Sequence, residues 1–177
     1  MKLVIVGKGR GFHEAPYEGN VWGLTQIILN HPVSMVIDMN VYDDMRWGEA
    51  EYREAKLSRR IAEANDIPYI DLANYPIEEV KKEFGVDYFS NTLDYAIALA
   101  ILKGYESIDL YGCNMETGTE YAHQKPSCEF WIGVAIGRGV RVNIFGDHCS
   151  LIKTGDGKVY GYDTMQSLML RKGREDG

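Results

Sequence analysis

The chain has 177 residues, of which 45% are hydrophobic and 25% charged, with a formal net charge of -7. That length supports one core burying about 70% of the surface the unfolded chain exposes, and the composition excludes a largely disordered protein. The acidic balance repels phosphate backbones and argues against a long nucleic acid as partner, while leaving room for a local basic pocket that holds one nucleotide.

The first apolar run, Leu3 to Val6, is four residues long and gives way at once to glycines, so it reads as a buried strand and not as a signal peptide. No apolar stretch approaches the roughly 18 residues that span a membrane. The three cysteines, Cys113, Cys128 and Cys149, match no zinc or disulfide spacing. A cytoplasmic chain with free thiols and no intrinsic metal is the expectation.

In chain order, Lys2 to Val6 empties into Gly7-Lys8-Gly9-Arg10-Gly11. Such a loop lets backbone N–H groups approach an anion, and Lys8 and Arg10 add charge, so Gly7, Lys8, Gly9 and Arg10 are candidate phosphate contacts. The same glycines also suit a tight turn that needs positive φ. A dinucleotide fingerprint requires G-x-G-x-x-G opening directly into a helix, whereas Phe12 to Pro16 intervene here. Apolar residues at Val21, Trp22, Leu24, Ile27 and Ile28 predict a helix over Asn20 to Asn30, capped by Asn20 and ended by His31-Pro32. Ser34 to Met39 follows as a strand, and Asp38 at its carboxyl end suits either a ribose hydroxyl or an ordinary turn.

Trp47 to Asn65 is charge-rich, with i,i+4 pairs such as Glu49 to Arg53, and predicts a surface helix. Ile67 to Asp71 is a short strand. Pro76 to Phe84 predicts a helix with proline in its first turn and Gly85 as its stop. The apolar helix Ala96 to Leu102 is capped by Ser90, Asn91 or Thr92, with Asp94 placed to close a capping box. That cap is either purely structural or also turned toward a ligand crevice.

Ser107 to Phe145 reads as a βαβ unit: a strand at Ile108 to Tyr111, a polar loop from Gly112 to Lys125, a helix ending at Gly137, and a strand at Val140 to Phe145. Beyond it, Leu151 to Asp163 suggests a small hairpin around Gly155-Asp156-Gly157, and Met165 to Leu170 a last helical turn. Together these elements predict a three-layer α/β/α sandwich with a mainly parallel sheet of about five strands and a small C-terminal hairpin. The expected organisation is a single domain over residues 1–170 with a polar tail over residues 171–177.

In such a sheet, ligands bind beyond the carboxyl ends of the strands, which places the chemistry in the polar loop. Asn114, Lys125 and Ser127 are candidate ligand contacts, since Pro126 at a first helical position leaves the next N–H groups pointing into the crevice. Glu120 or His123 could serve as general base or acid; the plainer reading makes His123 a solvated loop residue and Glu129 a helix-dipole partner. Cys128 beside a helix start could act as a nucleophile with His123 or His148 as base; a buried inert thiol is the default.

The N-terminal strand with its glycine loop, the capped helix SNTLDYAIALAILKG and the strand end IDLYGCNM together resemble two families. One is the Rossmann-like domain of hydroxymethylpterin pyrophosphokinase-like proteins; the other is the bacterial sialyltransferases. The stretch YGCNMETGTEYAHQKPSCEFWIGVAIGRGV is similar to small bacteriophage and prophage proteins, a resemblance that implies a host-cytoplasm location. Carried over, Gly7, Gly9, Ser90, Asn91 and Thr92 would line a nucleotide site. The chain lacks a proline-serine pair after the glycine loop, and Asn114 stands where these families have an acid.

The resemblance implies a nucleotide- or nucleotide-sugar-binding protein that is a transferase at a phosphate or glycosyl group. The alternative is a non-catalytic phage-type protein that sequesters or senses a nucleotide signal. The aromatic content, including 12 tyrosines, is compatible with a homodimer. The geometric expectation is that residues 7–11, 90–92 and 114–127 meet at one carboxyl-terminal edge of the sheet.

Overall fold

The computed structural model describes residues 1–42, 48–116, 119–153, 158, 159 and 162, the side chain of Glu120 excepted. Six strands form one sheet: β1 (Lys2–Val6), β2 (Val21–Leu24), β3 (Met35–Ile37), β4 (Tyr69–Ile70), β5 (Ser107–Tyr111) and β6 (Arg141–Ile144). Their order is β4-β3-β2-β1-β5-β6, and all five pairings are parallel. Among the described residues four α-helices accompany them: α1 (Glu49–Ala64), α2 (Ile77–Phe84), α3 (Thr92–Leu102) and α4 (Lys125–Gly137).

Side chains alternate across each strand, so the sheet buries two faces. Leu3, Ile5, Trp22, Leu24, Met35, Ile37, Ile108 and Leu110 pack against α2, α3 and α4. Val4, Val6, Val21 and Val36 pack on the opposite side, under α1 and the segments around Ala15, Ile27 and Val33. The result is a three-layer α/β/α sandwich. Helix α3 lies between sheet and neighbours and is apolar nearly all round, with every residue from Ala96 to Ile101 buried, as a helix with no solvent face must be. Trp131 of α4 is fully buried and donates its indole N–H to the Tyr88 carbonyl at 2.7 Å.

One element differs in kind from its expectation. Residues 20–30 form no α-helix: Val21–Leu24 is strand β2, followed by a single 3-10 turn at Ile27–Leu29. All four β2 residues are buried, and a strand buried on both faces gives a continuous apolar run that also satisfies helical spacing. Asn20 is no N-cap; its carbonyl accepts from the Val4 N–H at 2.9 Å as the sheet begins. Gly23 settles the matter sterically, since a Cβ there would lie 2.9 Å from Val33 Cγ1 and 3.0 Å from Ile27 Cβ. This strand raises the count to six where five were expected.

The other elements fall within a few residues of their expected bounds. Helix α2 ends on Gly85 at φ 69, in the left-handed region where glycine is favoured. Among the described residues no helix is long and apolar enough to cross a membrane. The expected hairpin at 151–163 lies largely outside the described residues, and the helical turn at 165–170 and the tail at 171–177 lie entirely outside them.

Candidate functional site

Strands β2, β3 and β4 extend from β1 in one direction, while β5 and β6 extend in the other. The order of the strands therefore reverses between β1 and β5, and the carboxyl ends at such a switch point are where open parallel sheets bind ligands.

The two loops are stitched together there. The Gly7 N–H donates to the Tyr111 carbonyl and the Gly9 N–H to the Gly112 carbonyl, each at 2.8 Å. A Cβ on Gly7 would stand 2.6 Å from the Gly112 oxygen, and one on Gly9 2.7 Å from it. Glycine is required at both positions because one backbone lies directly on another, and the amides of Gly7 and Gly9 are engaged in that packing. Asn114 adds a staple: with its amide oriented to satisfy both groups, it accepts from the Arg10 N–H at 2.9 Å and donates to the Arg10 carbonyl at 3.2 Å.

Lys8, Gly9, Arg10, Phe12, His13, Glu14 and His148 line a concavity of about 490 Å³ over this floor. His148 arrives from the turn after β6, where Ser150 donates its N–H to the Asn114 carbonyl at 2.9 Å.

A second cluster forms where α3 and α4 begin. Asn91 caps α3, accepting from the N–H groups of Leu93 at 2.9 Å and Asp94 at 3.3 Å. Asp94 reaches back to the Ser90 N–H at 2.8 Å, so the expected reciprocal cap closes on Ser90. Ser90 and Ser127 share a hydroxyl–hydroxyl hydrogen bond. Asn91 Nδ2 donates to Cys128 Sγ at 3.1 Å, and Thr92 Oγ1 accepts from the Met39 N–H at 3.4 Å, tying α3 to the end of β3.

Two helix N-termini meet here, and their field favours an anion. The fully buried Asp94 carboxyl sits among them. Burial pushes its pKa up, against the opposing hydrogen bonds of the Ser90 N–H, Ser127, Cys128 and Asn91. The Cys128 thiol is sealed from solvent, and burial together with the neighbouring Asp94 drives its pKa far upward. It is a structural thiol and not an activated nucleophile.

Asp38 belongs to a third cluster. It is only 3% exposed, and its carboxylate accepts from the phenols of Tyr42 at 2.8 Å and Tyr69 at 3.0 Å and from Asn40 Nδ2 at 2.8 Å. With Lys56 and Arg59 of α1 it lines a smaller concavity of about 310 Å³ at the ends of β3 and β4. Lys125 is paired with Glu129 within α4, and Glu129, by accepting from the Ile152 N–H at 2.6 Å, fastens α4 to the segment after β6. His123 lies exposed at the end of a 3-10 turn, Glu120–His123, and lines neither concavity.

The structure thus joins Gly7, Lys8, Gly9, Arg10 and Asn114 in one cluster and Ser90, Asn91, Thr92 and Ser127 in another. Cys113, buried in the same core as Cys128, borders the first cluster: its sulfur would be 3.2 Å from a Cβ on Gly7. The residues not anticipated are Thr25 and Gln26; His148, expected at most as a base for Cys128, instead lines the concavity over the loop after β1. Thr25 follows β2 at φ 56, a conformation costly for a β-branched side chain. Among the described residues, the buried Thr25 Oγ1 and Gln26 Oε1 make no hydrogen bond, while Gln26 Nε2 donates to the Tyr42 phenol at 3.0 Å, which sets Gln26 beside the Asp38 cluster. Their signal was hidden inside an expected helix.

No protein-family model matches the chain, and no curated protein does. Among solved structures the chain is similar to the sialyltransferase CST-II in complex with a trisaccharide acceptor and CMP, at 12% identity and a TM-score of 0.43, covering 81% of this chain and 80% of that one. It is also similar to the sialyltransferase CstII from Campylobacter jejuni in complex with the substrate analogue CMP-3FNeuAc, at 12% identity and a TM-score of 0.39, covering 81% and 79%. Likeness at this level bears on neither ligand nor reaction.

Proposed function

We propose that this protein binds a nucleotide or nucleotide-sugar across the β1–β5 switch point and acts as a transferase at its phosphate or glycosyl group. The observation that carries the binding reading is the concavity of about 490 Å³ over the loop after β1, where Lys8, Arg10, His13 and His148 gather in a chain of net charge -7.

Binding without turnover is the second reading, and one observation favours it. Cys128 is sealed and His123 lines neither concavity, so neither stands over the glycine loop as base or nucleophile.

A thermal-shift panel of nucleotides, nucleotide-sugars and cyclic or ADP-ribose-type signals tests both. A true ligand at one hundred times its Kd stabilises the fold by about 2.7 kcal/mol. Mass spectrometry of the recovered ligand then separates transfer, which leaves a cleaved donor, from sequestration, which returns it intact. A panel in which nothing raises the Tm ends the nucleotide reading.

A further inference from the structure

A glycine loop usually binds phosphate through its amides, yet here the Gly7 and Gly9 N–H groups are committed to the carbonyls of Tyr111 and Gly112. What faces the concavity instead is side-chain charge: Lys8 and Arg10 as permanent cations, with the imidazoles of His13 and His148, against the single carboxylate of Glu14. In a chain of net charge -7 this basic rim stands out. The rim is also held in place. Both backbone polar groups of Arg10 are clamped by the Asn114 amide, and the turn carrying His148 is fixed to the β5 loop by Ser150.

Resting on the nucleotide reading above, we infer that the ligand carries a diphosphate, gripped by Lys8, Arg10, His13 and His148 and not by the glycine-loop amides. A guanidinium forks onto two phosphate oxygens while an ammonium acts as a point charge. Two permanent cations two residues apart, with two ring N–H donors beside them, serve more than one phosphoryl group. Because the rim is solvent-exposed, its grip is screened by salt.

Calorimetric titration of the full chain with inorganic pyrophosphate, orthophosphate and a nucleoside diphosphate tests this. Pyrophosphate is expected to bind at least tenfold more tightly than orthophosphate, and more weakly at 200 mM than at 20 mM salt. A Lys8→Gln/Arg10→Gln double variant is expected to lose at least tenfold in pyrophosphate affinity, and His148→Asn severalfold, with unchanged Tm in both. Equal affinity for the two anions overturns the diphosphate assignment. A nucleoside diphosphate that binds the double variant as it binds the parent leaves the nucleotide reading standing and overturns the side-chain grip. Pyrophosphate binding that depends on Lys8 and Arg10, with no nucleotide bound, supports the grip and overturns the nucleotide reading.

Discussion

The side chain of Asn114 holds the backbone of Arg10 at both ends, accepting from its N–H at 2.9 Å and donating to its carbonyl at 3.2 Å. One amide thereby replaces the backbone partner that an irregular loop lacks, and it fixes the base of the cation placed to meet an anion. Asn114→Ala removes both bonds. Arg10 is exposed and water can replace part of the loss, so a destabilisation of about 1 kcal/mol is expected. Anion affinity is expected to fall alongside it, measured by urea unfolding and by pyrophosphate titration.

Gly9 is a steric prediction. Its Cβ position is 2.7 Å from the Gly112 oxygen, and neither backbone can swing aside as a long side chain would. Gly9→Ala is expected to cost about 1–3 kcal/mol through overpacking, against a negligible cost for Gly133→Ala, where no atom lies within 4 Å. Comparing the two unfolding midpoints checks it.

Thr25 is a prediction about strain. Thr25→Gly relieves the left-handed conformation at φ 56 and is expected to hold or raise the Tm, although it removes a side chain. Thermal unfolding of the variant beside the parent checks it.

Asp94 makes stability depend on pH in the opposite sense to a salt-bridged carboxylate. Its folded-state pKa is raised, chiefly by burial, so the folded protein holds this proton more tightly than the unfolded chain. The carboxyl's contribution to stability is fully present below the ordinary aspartate range and is lost as pH rises through the raised folded value. Asp94→Asn keeps an acceptor for the Ser90 N–H without the charge. It is expected to be more stable than the parent at pH 7–8, with the difference shrinking toward pH 4; chemical denaturation at those pH values reads it.

The layers and most elements were legible because their signals are local. Proline and acids opening α2, Gly85 closing it, and the Asn91 cap of α3 each act within one turn of chain. Strand β2 was not legible, since Val21, Trp22 and Leu24 fit a helix stripe as well as a strand buried on both faces; only the approach of Val33 and Ile27 to Gly23 decides. The same limit hid part of the site. Gly7 and Gly9 were visible as glycines, but whether their amides face a ligand or the β5 loop depends on residues more than a hundred positions away. His148 reads from sequence only as a base for Cys128, because nothing nearby in the chain announces that it joins the loop after β1.

Residue-by-residue amide NMR of the full chain titrated with a nucleoside diphosphate shows whether a nucleotide sits at the β1–β5 switch point. Shifts concentrated at residues 8–14, 112–114 and 148 are expected. Shifts gathered instead around Tyr52, Lys56, Arg59 and Tyr69 at the smaller concavity, or no shifts at saturating ligand, rule the site out.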